Sequence, residues 1–413
     1  MTQSVDLRAD TPTGLATKPR VLWVATHPIQ YQVPLFQAVE RAGALDFEVV
    51  YIQRPDARQQ GAGFGVAFEW DIPLLEGYRW RMADGVAGRG GLEGFAATWL
   101  RQPVQLLRRL QPDVLVLTGW HALPLVQLLL AARCLGIPVV MRGEANALRR
   151  RAWRARAAHR MVLAMCRAFL CIGKGNEAFY RGYGVQPSRL FSAPYFVDNA
   201  RFHAAAEQLE LGRDELRSRW GIRRDAVCFL YAGKLEPKKR ILDLLAALER
   251  ACARTTAPMH VLVVGTGALM DEARDFVETR KLPVHFAGFL NQTEMPAAYV
   301  AADALVLPSD HGETWGLVVN EAMACGRPAL VSDRVGCGPD LIIPGQTGDT
   351  FPFGDVDALA QRLADWAQDP GRLGAMGTRA RQRVTEGYSV ERAVEGLHAA
   401  VQAVITRGAR GRA

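Results

Sequence analysis

Short, uninterrupted apolar runs rich in β-branched residues recur along the chain, each followed by a segment with helical spacing. One series occupies residues 21–25, 47–52, 114–118, 139–142, 168–172 and 190–193. A second occupies 227–231, 260–264, 284–286, 304–307 and 329–332. Continuous rather than alternating apolar strands mark parallel sheets covered on both faces. Two such series predict an α/β protein with two doubly wound, Rossmann-like domains, and ligands of such sheets bind beyond the carboxyl ends of the strands. Two sheets hinged face to face therefore share one deep cleft.

The same pattern divides the chain. Residues 1–19 are polar and read as a frayed tail, 20–196 as the first domain and 203–387 as the second, with the joint at PYFVDNARF, where apolar periodicity stops. Residues 388–407 resume helical spacing behind Ser389, a candidate N-cap, and are expected to pack back on the first domain. The length of 413 residues suits two domains. No run of about 18 apolar residues occurs, so no membrane span is expected. The tail carries Asp6 and Asp10 and no apolar signal core, which points to a cytoplasmic protein. Seven cysteines without a CxxC pair, mostly inside apolar stretches, read as reduced core thiols rather than disulfides or zinc ligands.

Charge changes the picture only when it is divided. Of the net +8, residues 1–200 hold 24 Lys and Arg against 15 Asp and Glu, so all the excess lies in the first half. Its densest part is Arg149, Arg150, Arg151, Arg154, Arg156, Arg160 and Arg167, in a stretch from 145 to 176 without an acid. Trp153, Ala157, Met161, Ala164 and Ala168 recur there at helical spacing, so one reading is a core stripe with a solvated basic back. The other is a surface for anionic lipid at the inner face of the cell membrane. Nucleic acid is not expected as a partner, because no aromatic interleaving or recognition motif accompanies the arginines.

The most specific segment is GETWGLVVNEAMACGRP (312–328), after the run 304–307. Glu313 falls in the loop, Trp315 or Gly316 opens a helix, and Glu321 lies on it, with Leu317, Val318, Ala322 and Cys325 expected to face the sheet. The free amides of Gly316, Leu317 and Val318 form an anion site at the helix start. Carboxylates on either side of such a site suit a ligand with a hydroxylated ring at each end of a diphosphate, the outline of a nucleotide sugar. A second segment, YAGKLEPKKR (231–240), offers Gly233 for close backbone approach and brackets a helix start with Lys234 and Lys239. A third, VLVVGTGALMDE (261–272), is a strand, a glycine turn at Gly265 and a helix.

In this order and spacing, these segments resemble the nucleotide-sugar domain of GT-B glycosyltransferases of family four, the retaining type (glycosyl transferases group 1). The family's two glutamates separated by seven residues correspond to Glu313 and Glu321, and its glycine-basic element with a following lysine to Gly233, Lys234 and Lys239. PYFVDNARF and GQTGDTFPFGD (345–355) also fit, and the resemblance spans about residues 190–405. It implies transfer of a sugar from a nucleotide-diphosphate donor to a glycan, lipid-linked or small-molecule acceptor, with retention, no cofactor and no metal. Glu313 would hold donor-sugar hydroxyls, Glu321 ribose hydroxyls, and Lys234 with Lys239 the diphosphate. The first half matches in architecture only: THPIQYQVPLF (26–36) stands where relatives often have a Gly-Gly turn, and Arg142-Gly143-Glu144 where many present a histidine.

His27, His121, Arg142 and Glu144 fall at predicted strand ends of the first half and are candidates for the acceptor side; each histidine could equally pack a loop. Asp355-Val356-Asp357 imitates a metal-binding DxD, but Asp355 opens a helix and reads as an N-cap. Three other functions compete. A nucleotide-sugar epimerase or hydrolase of the same fold would release an epimer or free sugar without acceptor. A dinucleotide oxidoreductase on the GTG turn would show a nicotinamide absorbance change, although Met270 stands where the third glycine of GxGxxG belongs. A non-catalytic sugar-binding scaffold would bind donor without turnover.

Overall fold

The computed structural model describes residues 18–91, 94–148 and 151–410, the last four by backbone only. Most of the expected tail, and Arg149 and Arg150, lie outside the described residues. Before the joint run β1 (Arg20–Ala25), β2 (Asp46–Tyr51), β3 (Trp80–Met82), β4 (Val86–Gly88), β5 (Thr98–Leu100), β6 (Val114–Leu117), β7 (Val139–Met141), β8 (Ala168–Cys171) and β9 (Leu190–Ser192). Seven of them pair in parallel in the order β3-β2-β1-β6-β7-β8-β9, while β4 and β5 form a separate antiparallel pair. After the joint run β10 (Val227–Ala232), β11 (Met259–Val264), β12 (Val284–Gly288), β13 (Ala304–Leu307), β14 (Ala329–Ser332) and β15 (Gly348–Phe351), parallel in the order β12-β11-β10-β13-β14-β15. The expected two-domain α/β architecture is present. The short strands β3, β4, β5 and β15 were not among the predicted runs, because none carries an uninterrupted apolar stretch.

Strand order reverses beside β1 in one sheet and beside β10 in the other. Crevices therefore open between β1 and β6 and between β10 and β13, the switch points where ligands of such sheets sit. Helices cover both faces of each sheet, and every residue of β6, β8, β10, β11, β13 and β14 is buried. In the first core Trp23 meets Phe36 edge-on at 5.3 Å between ring centroids, a pairing that contributes about 0.5–1.5 kcal/mol beyond its buried area.

Two helices tie the halves together. Helix Asn199–Glu210, capped by Asp198 accepting from the Arg201 amide at 3.0 Å, packs on the second domain through Phe202 and Ala206. The last helix, Val390–Arg410, returns to the first domain, where Ala393, Leu397, Ala400, Val401 and Val404 join the Trp23 cluster. Gly396 allows that return: a Cβ there would stand 1.9 Å from the Ser192 carbonyl oxygen.

Candidate active site

Both distinctive segments of the second domain leave strands that flank its switch point. From β10 the chain passes Gly233 and Lys234, makes a 3-10 turn over Pro237–Lys239, takes a left-handed step at Arg240 (φ 57°) and enters helix Ile241–Arg254. The lysines thus precede and end a separate turn rather than bracketing the helix start directly. Lys239 Nζ forms an ion pair with Glu313 Oε2, and each side chain is only 15% exposed. A charged pair so withdrawn from water is costly unless its geometry serves something.

Gly265 has a packing reason. Its backbone is left-handed (φ 121°), and a Cβ would lie 2.0 Å from the Gly233 carbonyl oxygen. The two loops are further joined by Gly233 N donating to Val264 O and Leu235 N to Thr266 O, both at 3.0 Å.

From β13 the chain runs through Glu313 to Gly316, whose φ of 102° suits a residue without Cβ, and into helix Leu317–Ala324. Leu317 and Val318 are only half-buried. Ala322 and Cys325 lie in the core as expected, joined by Val319 and Met323, and Leu317 and Val318 pack against that core. The first amides of the helix have no partner within it. Trp315 anchors the turn: its Nε1 donates to Asn320 Oδ1 at 2.8 Å, and Asn320 Nδ2 donates to the Tyr195 carbonyl at 3.3 Å.

Glu321, 1% exposed, lies deeper than the other candidates. Tyr299 Oη donates to its Oε2 at 2.6 Å and Gln292 Nε2 to its Oε1 at 3.4 Å, and Tyr31 of the first domain packs against the same core cluster as Tyr299. Burial raises its pKa, against the opposing pull of these hydrogen bonds. Gln292 and Tyr299 escaped sequence reasoning because nothing local to those residues marks them as partners of Glu321.

Across the cleft, His27 follows β1 and His121 follows β6, so both stand at the first domain's switch point. Burial, and then the charge of His121, push the His27 pKa down to about 4; its Nδ1 lies 3.0 Å from Thr26 Oγ1. At neutral pH His27 is therefore an uncharged hydrogen-bonding group and a poor general base, since an efficient base titrates near the working pH. His121, at the exposed rim, is also lowered, first by loss of water. Beyond β7, Arg142 is 2% exposed and stacks 4.7 Å over the Tyr195 ring, with Glu144 at 4.0 Å; the Tyr195 hydroxyl bonds to Glu144.

The halves touch around this cleft. Asn146 Nδ2 donates to Thr314 O at 3.2 Å, and the Lys174 amide donates to both Asp340 carboxylate oxygens at 3.0 Å. A longer bridge is the excursion between β2 and β3, residues 52–79. Lys234 Nζ donates to Ala62 O at 2.7 Å and sits 4.8 Å over the Phe64 ring, Asn291 Nδ2 donates to Glu69 O at 2.7 Å, and Phe68 lies 4.4 Å from Phe289.

Elsewhere, Asp355 is an N-cap, accepting from Ala358 N at 2.9 Å, and Asp357 pairs with Arg250 and Arg254. Among the described residues no group of three or more metal-ligating side chains occurs, and no helix is long and apolar enough to cross a membrane. All seven cysteines are free, and Cys134 and Cys252 are exposed rather than in the core. The core-stripe reading of the arginine segment is corrected: in helix Trp153–Ala164, Trp153 and Met161 are 73% and 65% exposed, and Ala157 and Ala164 also face out. Only Leu163 of that helix is buried, so the stripe was drawn on the wrong face.

Residues 212–383 match the family described as glycosyl transferases group 1. The match lies within the second domain. The chain is 36% identical over 196 residues to a glycogen synthase of Mycobacterium tuberculosis, covering 46% of this chain and 43% of that protein. The chain is also 30% identical over 240 residues to a D-inositol 3-phosphate glycosyltransferase of Kineococcus radiotolerans, covering 53% and 54%. The chain thus spans about half the length of the curated relatives it matches. Over 94% of its length it superposes on a glycosyltransferase of Rickettsia africae, with a TM-score of 0.72 at 12% identity and 99% of that chain covered. Over 92% it superposes on HepE of Anabaena, solved with UDP and glucose, with a TM-score of 0.68 at 15% identity and 98% covered. The two facing units have the GT-B arrangement of these solved structures.

Proposed function

We propose that the protein transfers a sugar from a nucleoside-diphosphate sugar to an acceptor held by the first domain, with retention of configuration and without a metal. The observation that carries this reading is the convergence of Lys239, Glu313 and the free amides of helix Leu317–Ala324 at one switch point. A cation and helix-start amides stabilise the charge that builds on a departing diphosphate. Glu313, drawn against Lys239, is set to take hydroxyls of the donor sugar. Lys234 adds charge beside the diphosphate. Glu321 takes ribose hydroxyls. His27, His121, Arg142 and Glu144 line the acceptor side, and the leaving phosphate helps deprotonate the acceptor.

A thermal-shift screen of nucleotide sugars tests the donor assignment. At 100 times its dissociation constant the true donor stabilises the fold by about 2.7 kcal/mol. A screen in which no nucleotide sugar raises the melting temperature contradicts the reading.

We also propose that the exposed helix Trp153–Ala164 lets the protein visit an anionic membrane face. Trp153 offers an interfacial ring and Met161 apolar area, flanked by exposed Arg154, Arg156 and Arg160. Arg151 is already engaged, donating to Asn146 O at 3.1 Å. Each basic residue near such a surface contributes about 1 kcal/mol. Cosedimentation with anionic, but not neutral, vesicles is expected at low salt, with release at high salt and loss on replacing those three arginines by serine. Equal sedimentation with both vesicles would leave the helix as solvated surface.

A further inference from the structure

The loop that carries Glu313 lies in neither helix nor strand, and three consecutive carbonyls along it are each held by a different donor. Gly336 N donates to Glu313 O at 3.0 Å and Cys337 N to Trp315 O at 2.9 Å, both from within the second domain. The carbonyl between them, that of Thr314, is held from the first domain by Asn146 Nδ2 at 3.2 Å. Two glycines let the chains come this close. A Cβ on Gly336 would stand 1.9 Å from the Thr314 oxygen, and one on Gly173 of the first domain 2.4 Å from the Trp315 ring.

Asn146 is only 4% exposed, and its side chain has a single orientation. Its Oδ1 accepts from Leu148 N at 3.1 Å, and because that partner can only donate, Nδ2 is the atom turned to Thr314. The loop beneath it is braced from helix Lys174–Gly182. Asn176 Nδ2 donates to Gly143 O at 3.0 Å and to Ala145 O at 2.6 Å, while its Oδ1 accepts from Ile172 N at 3.2 Å. Ala147 N donates to Gly175 O at 3.1 Å on the far side. The side chain that reaches Thr314 therefore stands on a fixed mount, which a positioning role requires.

We propose that Asn146 is a positioning residue for Glu313, setting the carboxylate's loop from across the cleft through the Thr314 carbonyl; the proposal rests on the glycosyl-transfer reading above. Glu313 meets Lys239 inside one domain, yet the peptide that follows it is anchored in the other. Geometry at a reacting centre tolerates little slack, and a misplacement of about 1 Å costs on the order of 100-fold in rate. Asn146 also belongs to the loop that presents Arg142 and Glu144. One hydrogen bond thus makes the alignment of the donor-side carboxylate depend on the seating of that loop.

Two variants of the full chain test this. Asn146→Asp keeps an oxygen for Leu148 but sets a second oxygen against the Thr314 carbonyl, and Asn146→Ala removes both bonds. Turnover should fall about 10- to 100-fold in each, while calorimetric affinity for the nucleotide sugar found by the screen changes about twofold or less, because the diphosphate and ribose contacts lie elsewhere. In a Glu313→Gln background either change should lower turnover only about threefold or less, since Asn146 acts through that carboxylate. Asp71→Ala removes another cross-domain bond, Asp71 Oδ2 accepting from Thr293 N at 3.1 Å, and should stay within about twofold of the parent. Hydrogen exchange of residues 310–320 should quicken in both Asn146 variants, with or without donor. The proposal is overturned if both variants turn over like the parent, if affinity falls as far as turnover, if the Asn146 and Glu313 effects simply add, or if Asp71→Ala loses as much as Asn146→Asp. Faster exchange over 310–320 in the variants, with no nucleotide sugar bound by the parent, would keep the cross-domain hold on the loop and sink the transfer reading instead.

Discussion

Lys239→Ala should lower sugar-transfer turnover by about 100- to 1,000-fold while the fold persists. Lys239 lies at the mouth of the crevice between β10 and β13, paired with Glu313 and withdrawn from water. At 4 Å and an effective dielectric of 20, one unit-charge contact is worth about 4 kcal/mol before desolvation. Removing a single preorganised group that meets developing charge typically costs 10²- to 10³-fold in turnover. Glu313→Gln should lose activity to a similar degree, because it removes the charge opposite Lys239 and weakens the grip on donor hydroxyls. The double variant should be little worse than either single one, since the two act as a unit. Turnover is read as nucleoside diphosphate release with the donor found by the screen, and circular dichroism melts confirm the fold. Parent-like turnover by Lys239→Ala would remove the diphosphate assignment.

Glu321→Ala is expected to lower unfolding stability by about 3 kcal/mol. The substitution strands the buried hydroxyl of Tyr299 and the amide of Gln292. Each unsatisfied buried group costs about 1–3 kcal/mol, and the vacated volume adds to that. Glu321→Gln should cost less, and its cost should depend on pH. An acid whose pKa is raised in the fold is most favourable below its unfolded value and loses stability as pH climbs from there. Burial raises Glu321 above 4.5, so the glutamine variant should close the gap to the parent between pH 5 and pH 8 in urea unfolding. A gap that widens with pH would mean that the carboxyl is held charged in the fold.

Much of the fold was legible because parallel sheets write their strands as unbroken apolar runs, as in VCFLYA of β10 and ALVL of β13. Strand β15 was not, because GDTF gains its place only by pairing with β14. The resemblance to group 1 glycosyltransferases was legible in GETWGLVVNE, where an acid inside an apolar helix has few structural excuses. The surroundings of that acid were not: Gln292 and Tyr299 lie outside that helix, and only tertiary packing brings them to Glu321. The outward face of Trp153 escaped for a similar reason. Helical spacing shows that Trp153, Ala157 and Met161 share a face, but not whether that face meets the core or solvent.

The central claim is that the β10–β13 crevice holds the diphosphate of a nucleotide sugar. A crystal structure with the donor selected by the stabilisation screen tests it most directly. The account predicts the diphosphate within hydrogen-bond reach of Lys239 Nζ and of the amides at the start of helix Leu317–Ala324, with the sugar against Glu313. A nucleotide bound instead in the crevice between β1 and β6, beside His27 and His121, would contradict it.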